Sequence, residues 1–147
     1  MLRNAAAFLA PVLFTVAAHA ADAAAGGGCG DQSKVPADKR VVNTARWTTA
    51  SEANTFGYDV YRSDTEKGKF VRITKKPILG NGTTSETHKY EFVDDTIDPC
   101  KEYYYYVEEV ATSGQRTKFT SVFKAKAKRH ADGSPADTHP AGDKKDH

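Results

Sequence analysis

The chain has 147 residues, 21 Lys+Arg against 19 Asp+Glu and a formal net charge of +2. That length holds one domain of ordinary size, and the near balance of interspersed charge supplies no basic stripe for nucleic acid. Beyond the first twenty residues no second long apolar segment exists, so nothing else in the sequence is expected to span a bilayer.

Residues 1–20 read as a secretory signal peptide. Arg3 supplies the positive start, and Ala5 to Ala18 form an apolar run interrupted only by Pro11 and Thr15. Ala18-His19-Ala20 then offers the small-x-small pattern at which signal peptidase cuts, with Ala18 and Ala20 as the recognised positions. A spanning helix needs roughly 20 apolar residues, and this run is shorter, with Asp22 following at once. Retention as an uncleaved anchor is the alternative. Cleavage removes Arg3 alone from the charge count, leaving 20 basic against 19 acidic residues. Residues 21–37, rich in Ala, Gly, Asp and Lys, include Gly26-Gly27-Gly28 and are expected to form a flexible linker.

Residues 38–126 carry the strand signals. Val41-Val42 through Trp47 is the first apolar-aromatic run, closed by Thr48-Thr49-Ala50-Ser51-Glu52. Phe56, Tyr58 and Val60 alternate with Gly57, Asp59 and Tyr61, the period of two that suits a half-buried strand. Glu66 to Lys69 make a turn before Phe70-Val71-Arg72-Ile73, and Gly80 to Ser85 read as a polar loop. Tyr90 and Phe92 alternate in the next strand, which ends at Asp94-Asp95. Residues 103–110 (YYYYVEEV) are the densest β-forming run. Thr112-Ser113-Gly114-Gln115 is a hairpin turn, and Thr117 to Phe123 are the last strand. Residues 127–147 hold no apolar side chain larger than Ala and are expected to be disordered, because so little burial does not offset ordering entropy. Short strands at this spacing predict an all-β, immunoglobulin-like two-sheet antiparallel sandwich with disordered N- and C-terminal segments.

Four segments in this order resemble a fibronectin type III-like domain of the kind found in bacterial exported proteins. They are Arg46-Trp47-Thr48-Thr49-Ala50-Ser51-Glu52, Gly57-Tyr58-Asp59-Val60-Tyr61-Arg62-Ser63, Tyr90-Glu91-Phe92-Val93-Asp94, and Ile97-Asp98-Pro99-Cys100-Lys101-Glu102-Tyr103. The resemblance implies that Trp47 is the buried tryptophan of the second strand and that Tyr103 is the tyrosine-corner residue whose hydroxyl ties the loop to the sheet. Two departures stand out. Cys100 takes a position usually held by Gly, and residues 30–40 mark the first strand with only Val35. The expected core is Trp47, Tyr58, Val60, Tyr90, Phe92, Tyr103 and Tyr105.

Cys29 and Cys100 are the only cysteines. In an exported protein an even count favours a disulfide, here closing a loop worth on the order of 4 kcal/mol in the chain-entropy model. The resembled fold places the two at opposite ends, so pairing requires the Gly-rich segment to run back along the domain. The alternative makes Cys29 a lipid-bearing site in the cell envelope, although Gly26 stands where an apolar residue is wanted.

No catalytic signature emerges. There is no G-x-S-x-G and no cysteine poised beside a base, and no enzyme activity is expected. Asp94, Asp95, Asp98, Glu108 and Glu109 read as turn formers and solvated faces, with Asp94 and Asp98 making Asx-type turns. His130, His139 and His147 lie eight or nine residues apart in the tail and read as solvated spacer, with weak opportunistic Zn or Cu binding as the alternative, since a built site holds its ligands at set geometry. His88 reads as an exposed loop residue. No metal and no cofactor is expected. Alternation sends Tyr103 and Tyr105 inward, and Tyr104 and Tyr106 outward with Tyr61. Tyr61, Tyr104 and Tyr106 then form either an aromatic stripe for a protein or glycan partner or cross-strand contacts that steady the sheet. The loops Thr49–Thr55, Gly80–Thr87 and Ala111–Arg116 are the other candidate contact surface. The expected function is a non-catalytic binding, adhesion or interaction module, secreted or periplasmic. A lipid-anchored spacer or a small carbohydrate-binding protein is the alternative.

Overall fold

Alternation of apolar and polar side chains is realised as two packed antiparallel sheets. The computed structural model of the protein describes residues 28–125 and 129–130. The strands are β1 (Val41–Thr49), β2 (Glu52–Ser63), β3 (Val71–Arg72), β4 (Ile78–Thr84), β5 (His88–Asp94), β6 (Tyr104–Ala111), β7 (Arg116–Lys118), β8 (Phe123–Lys124) and β9 (Arg129–His130). One sheet has the order β5-β1-β9. The larger sheet has the order β3-β2-β6-β7, with β4 also on β2 and β8 also on β6.

The inward positions of β1, β2 and β6 make the core. Val41, Ala45 and Trp47 face Tyr58, Val60, Tyr105 and Val107, with Ile97 and Tyr103 closing one end. Burying a Val- or Phe-sized side chain stabilises by about 1.5–3 kcal/mol, so this cluster outweighs any surface ion pair. Trp47 meets Tyr58 edge-on at 5.6 Å and stacks on Tyr90 at 5.5 Å. Trp47, Tyr58, Val60, Tyr103 and Tyr105 are buried as expected. Tyr90 and Phe92 are only half-buried and pack against the cluster from β5, the edge of its sheet.

A polar network bridges the sheets beneath that core. The Tyr105 hydroxyl donates to Asp94 Oδ2 at 2.9 Å and accepts from Asn43 Nδ2 at 2.9 Å. Arg62 Nη1 donates to both Asp94 oxygens, and its guanidinium lies 4.8 Å from the Tyr103 ring centre. Asp94 is therefore a buried anchor as well as the Asx-turn former expected, since Oδ1 also accepts from Thr96 N at 3.1 Å. The Asp98 Oδ1 turn to Cys100 N is present at 3.0 Å. The Tyr103 hydroxyl oxygen accepts from Asp98 N at 3.0 Å, the geometry of a tyrosine corner.

Several elements differ from expectation for identifiable reasons. Gly80 to Thr84 belong to β4 and not to a loop, because Gly80 lets β4 lie against β2: a Cβ there would meet Thr55 Cγ2 at 2.9 Å. His88 is half-buried at the start of β5, opposite Thr49, and is not a loop residue. The last strand is broken into β7 and β8, because Phe119 N and Thr120 N both donate to Val107 O, at 2.8 and 3.2 Å, as a bulge. The run from Phe70 to Ile73 keeps only Val71–Arg72 as strand. Arg129–His130 pair with Val42 and Val41, so the expectation of a structureless segment from 127 onward fails at these two residues.

Cys29 and Cys100 are joined in a disulfide, with Cα atoms 5.1 Å apart. No strand forms over residues 30–40, where Ala37–Lys39 make one 3-10 turn. Gln32 takes over the bonding instead. Its Oε1 accepts from Val41 N at 2.7 Å, and its Nε2 donates to Val41 O at 2.9 Å and Ile97 O at 2.8 Å. Gly30 N adds a bond to Asp98 Oδ1 at 2.9 Å. The segment thus runs along the end of the sandwich to reach Cys100, which answers the distance objection. Ala18, Ala20 and the rest of the leader, the Gly26-Gly27 linker, and His139 and His147 lie outside the described residues.

Candidate functional site

The outward face of the larger sheet gathers the chemistry. Register places Tyr61 opposite Tyr106, Asp59 opposite Glu108 and Gly57 opposite Val110, while Arg72 lies beside Tyr61 and Lys118 beside Glu108. The Tyr61 and Tyr106 rings are parallel within 6°, with centres 4.8 Å apart. Phe70 leans on Tyr106 at 5.1 Å, and Lys118 Nζ sits 4.7 Å from the centre of that ring. Offset stacking and a cation over the ring each add to simple burial.

Charge surrounds the rings. Asp59 is fully buried on this face, and its Oδ2 receives Arg116 Nη1 at 2.8 Å and Arg72 Nη1 at 3.4 Å, while Thr74 Oγ1 donates to Oδ1 at 2.7 Å. Burial acts to raise the Asp59 pKa, yet the Arg116 and Thr74 bonds and the Arg72 charge together hold it below the usual carboxylate value. Arg116 also donates to Glu108 Oε1 at 2.8 Å, and the Tyr61 hydroxyl donates to the same atom at 3.1 Å. Burial, and then Glu108, push the Tyr61 hydroxyl above its ordinary pKa. It stays a neutral donor at physiological pH.

Only two of the three expected tyrosines come together. Tyr104 lies two residues away on the same face, opposite Ser63 and Lys124. It lines a separate shallow depression with Asp64, Thr65, Glu66, Lys101 and Glu102. The paired rings each spend a face on the other, and Lys118 lies over the Tyr106 ring. Sequence alternation places these residues on one face but does not show that the rings stack.

The expected contact loops at the far end are largely structural. Thr49, Glu52 and Thr55 are buried. Glu52 accepts from Thr49 Oγ1 at 3.0 Å, from Asn81 N at 2.7 Å and from the Tyr90 hydroxyl. Burial opposes ionisation of Glu52, but these bonds prevail and its pKa lies below normal. The Thr55 hydroxyl donates to Glu109. Sequence reading missed the apolar side chains that this end does expose. Leu79, opposite Gly57, is 68% exposed, and Phe56, at the register shift of β2, is 46% exposed. A bulge re-aims the side chain it carries, a change hidden by the period-two alternation that groups Phe56 with Tyr58 and Val60. Among the described residues, no three His, Cys, Asp or Glu side chains form a group able to hold a metal ion. No helix among them is long and apolar enough to cross a membrane.

The chain is similar to an amylopullulanase of Thermoanaerobacter thermohydrosulfuricus, at 34% identity over 80 residues. The match takes in 54% of this chain and 5% of that protein, so the chain spans a small fraction of the curated relative's length. No family model matches the chain. No solved structure matches it either.

Proposed function

We propose that the protein is an exported, non-catalytic domain of fibronectin type III-like design that works as an interaction module, contacting its partner through the outward face of the larger sheet. The observation that carries this reading is that face itself: a Tyr61–Tyr106–Phe70 aromatic group beside half-exposed Arg72 and Arg116, with exposed Leu79 on the same side of the sheet. Aromatic and Arg side chains with exposed apolar neighbours are the composition that binding hot spots favour.

The non-catalytic part rests on how the acids are used. Asp59, Asp94 and Glu52 are engaged by arginines, tyrosines and amides of the fold. An 80-residue similarity within a far longer enzyme fits an accessory unit better than a catalytic one. The fibronectin type III-like design is supported by the buried Trp47 and by the Tyr103 corner. Export is supported by the disulfide, since such bonds persist in oxidising compartments. That same bond engages the Cys29 sulfur that a lipid anchor would need, which favours a secreted or periplasmic protein over the anchored alternative.

A glycan partner is the second reading, favoured by the polysaccharide-degrading relative. The stacking of Tyr61 on Tyr106, with Lys118 over the latter, favours a protein, because flat stacking on sugar needs a free ring face. Immobilised protein is exposed to secreted and envelope extract, with a Tyr61→Ala/Tyr106→Ala variant and a glycan array in parallel. A protein retained by the wild type and lost by the variant is expected. Glycan binding abolished by the same variant supports the second reading, and polysaccharide hydrolysis by the purified chain overturns both.

A further inference from the structure

The edges of the two sheets are treated unequally. On the larger sheet β3, β7 and β8 are two or three residues long, and the β2–β4 pairing is broken by two register shifts. Short strands and bulges are how natural proteins blunt an edge against pairing with another chain. β5 is not blunted. It pairs with β1 over seven successive residues without a shift, contains neither Pro nor Gly, and among the described residues pairs with no strand on its other side.

The side chains along that edge complement a copy of themselves. In an antiparallel pair centred on Tyr90, Lys89 of one copy faces Glu91 of the other, and the two-fold axis repeats the contact. His88 faces Phe92, and Thr87 faces Val93. Lys89 and Glu91 point to the solvent side of the sheet, where both are exposed. Arg46 of β1 already pairs with Glu91, its Nε 3.1 Å from Oε2. The row across the interface would therefore read Arg46, Glu91, then Lys89 of the second copy, with alternating sign. Among the described residues Lys89 has no ion-pair partner of its own, so it is available. Centring the pair one residue later, on Glu91, sets two carboxylates against each other, and like charges directly opposite are destabilising. Val93 is 47% exposed and Phe92 is half-buried, so a second strand would also cover apolar surface.

We propose that β5 is a homotypic pairing edge at which a second copy of this chain adds antiparallel to it about Tyr90, joining the two small sheets into one continuous sheet. The surface lies on the other sheet from the Tyr61–Tyr106 face, so a dimer leaves that face open and presents it twice.

The test is sedimentation equilibrium over a range of protein concentrations. The wild type is expected to pass from monomer to dimer mass as concentration rises. Lys89→Glu and Glu91→Lys each set like charges opposite one another twice per interface, and each is expected to weaken dimerisation by about tenfold or more. Mixing the two variants restores opposite charges at both contacts and regenerates a heterodimer at concentrations where each variant alone is largely monomeric. Circular dichroism that matches the wild type shows the variants to be folded. A wild type that stays monomeric at every concentration overturns the proposal, as does a Lys89→Glu variant that dimerises as well as the wild type. A mixture that remains monomeric overturns it also.

Discussion

The Tyr105 hydroxyl, carried by β6, donates to the Asp94 carboxylate, carried by β5, at 2.9 Å, and so joins the two sheets at the floor of the sandwich. Tyr105 is 1% exposed and Asp94 is 3% exposed. No water replaces a partner lost at that depth. Tyr105→Phe is therefore expected to cost about 1–3 kcal/mol, the penalty of leaving Asp94 and Asn43 Nδ2 each one bond short. Urea unfolding followed through Trp47 fluorescence checks this: the midpoint falls while the slope is unchanged.

The disulfide joins residues 71 apart in sequence. Cys29→Ser/Cys100→Ser is expected to lower stability by about 4 kcal/mol, because the loop closed in the unfolded chain is long. Both cysteines are exposed, so core packing is not disturbed and the fold survives. Thermal melts with and without reductant check the point. The reductant-dependent drop in Tm is present in the wild type and absent in the variant.

Tyrosine ionisation sets an alkaline limit. Burial, with the Glu52 bond second, pushes the Tyr90 hydroxyl up to about 12, and burial raises Tyr58 and Tyr105 further. An unfolded tyrosine titrates near 10. A folded-state pKa raised above that value contributes stability that is complete below about pH 10 and is lost as pH climbs through the folded values. Absorbance at 295 nm is expected to show these three tyrosines ionising only as the protein unfolds. Their titration at pH 10 in the folded state would contradict the burial.

Gly57 and Gly114 are expected to respond differently to alanine. A Cβ on Gly57 would lie 2.4 Å from Ile78 O, a backbone atom held in the β2–β4 pairing. Gly57→Ala must push β4 away and is expected to cost about 1–3 kcal/mol. Gly114 has open space around its Cβ position but a φ of +87°, so Gly114→Ala costs about 1 kcal/mol of backbone strain alone. Midpoints of chemical denaturation for the two variants, compared directly, check the order.

The strands were legible where alternation was clean. Tyr58 and Val60 in β2, or Tyr105 and Val107 in β6, sit on one side of the sheet, and period two names that side. Legibility failed where a backbone irregularity reset the phase. Phe56 reads with Tyr58 and Val60, yet the shift at Thr55–Gly57 turns it to solvent. β4 reads as a loop, because Gly80, Asn81 and Gly82 are poor strand formers held there by pairing with β2. The outward tyrosines were legible as sharing a face, but their stacking depends on a cross-strand register that no local pattern encodes. Gln32 is the clearest case of a residue beyond reach. Nothing around it marks a side chain that bonds the backbone of two distant segments.

The Cys29–Cys100 bond also sets the path that force would take through the molecule. Tension entering from the N-terminal side passes across the sulfurs to Cys100 and never loads the residues between. Roughly 240 Å of extended chain is thereby hidden from stretching, including all of β1 to β5. Only the segment from β6 onward can be peeled away by a pull between the two termini. With the bond intact, the extension available under load excludes everything between Cys29 and Cys100. Reduced, the same chain becomes a long tether.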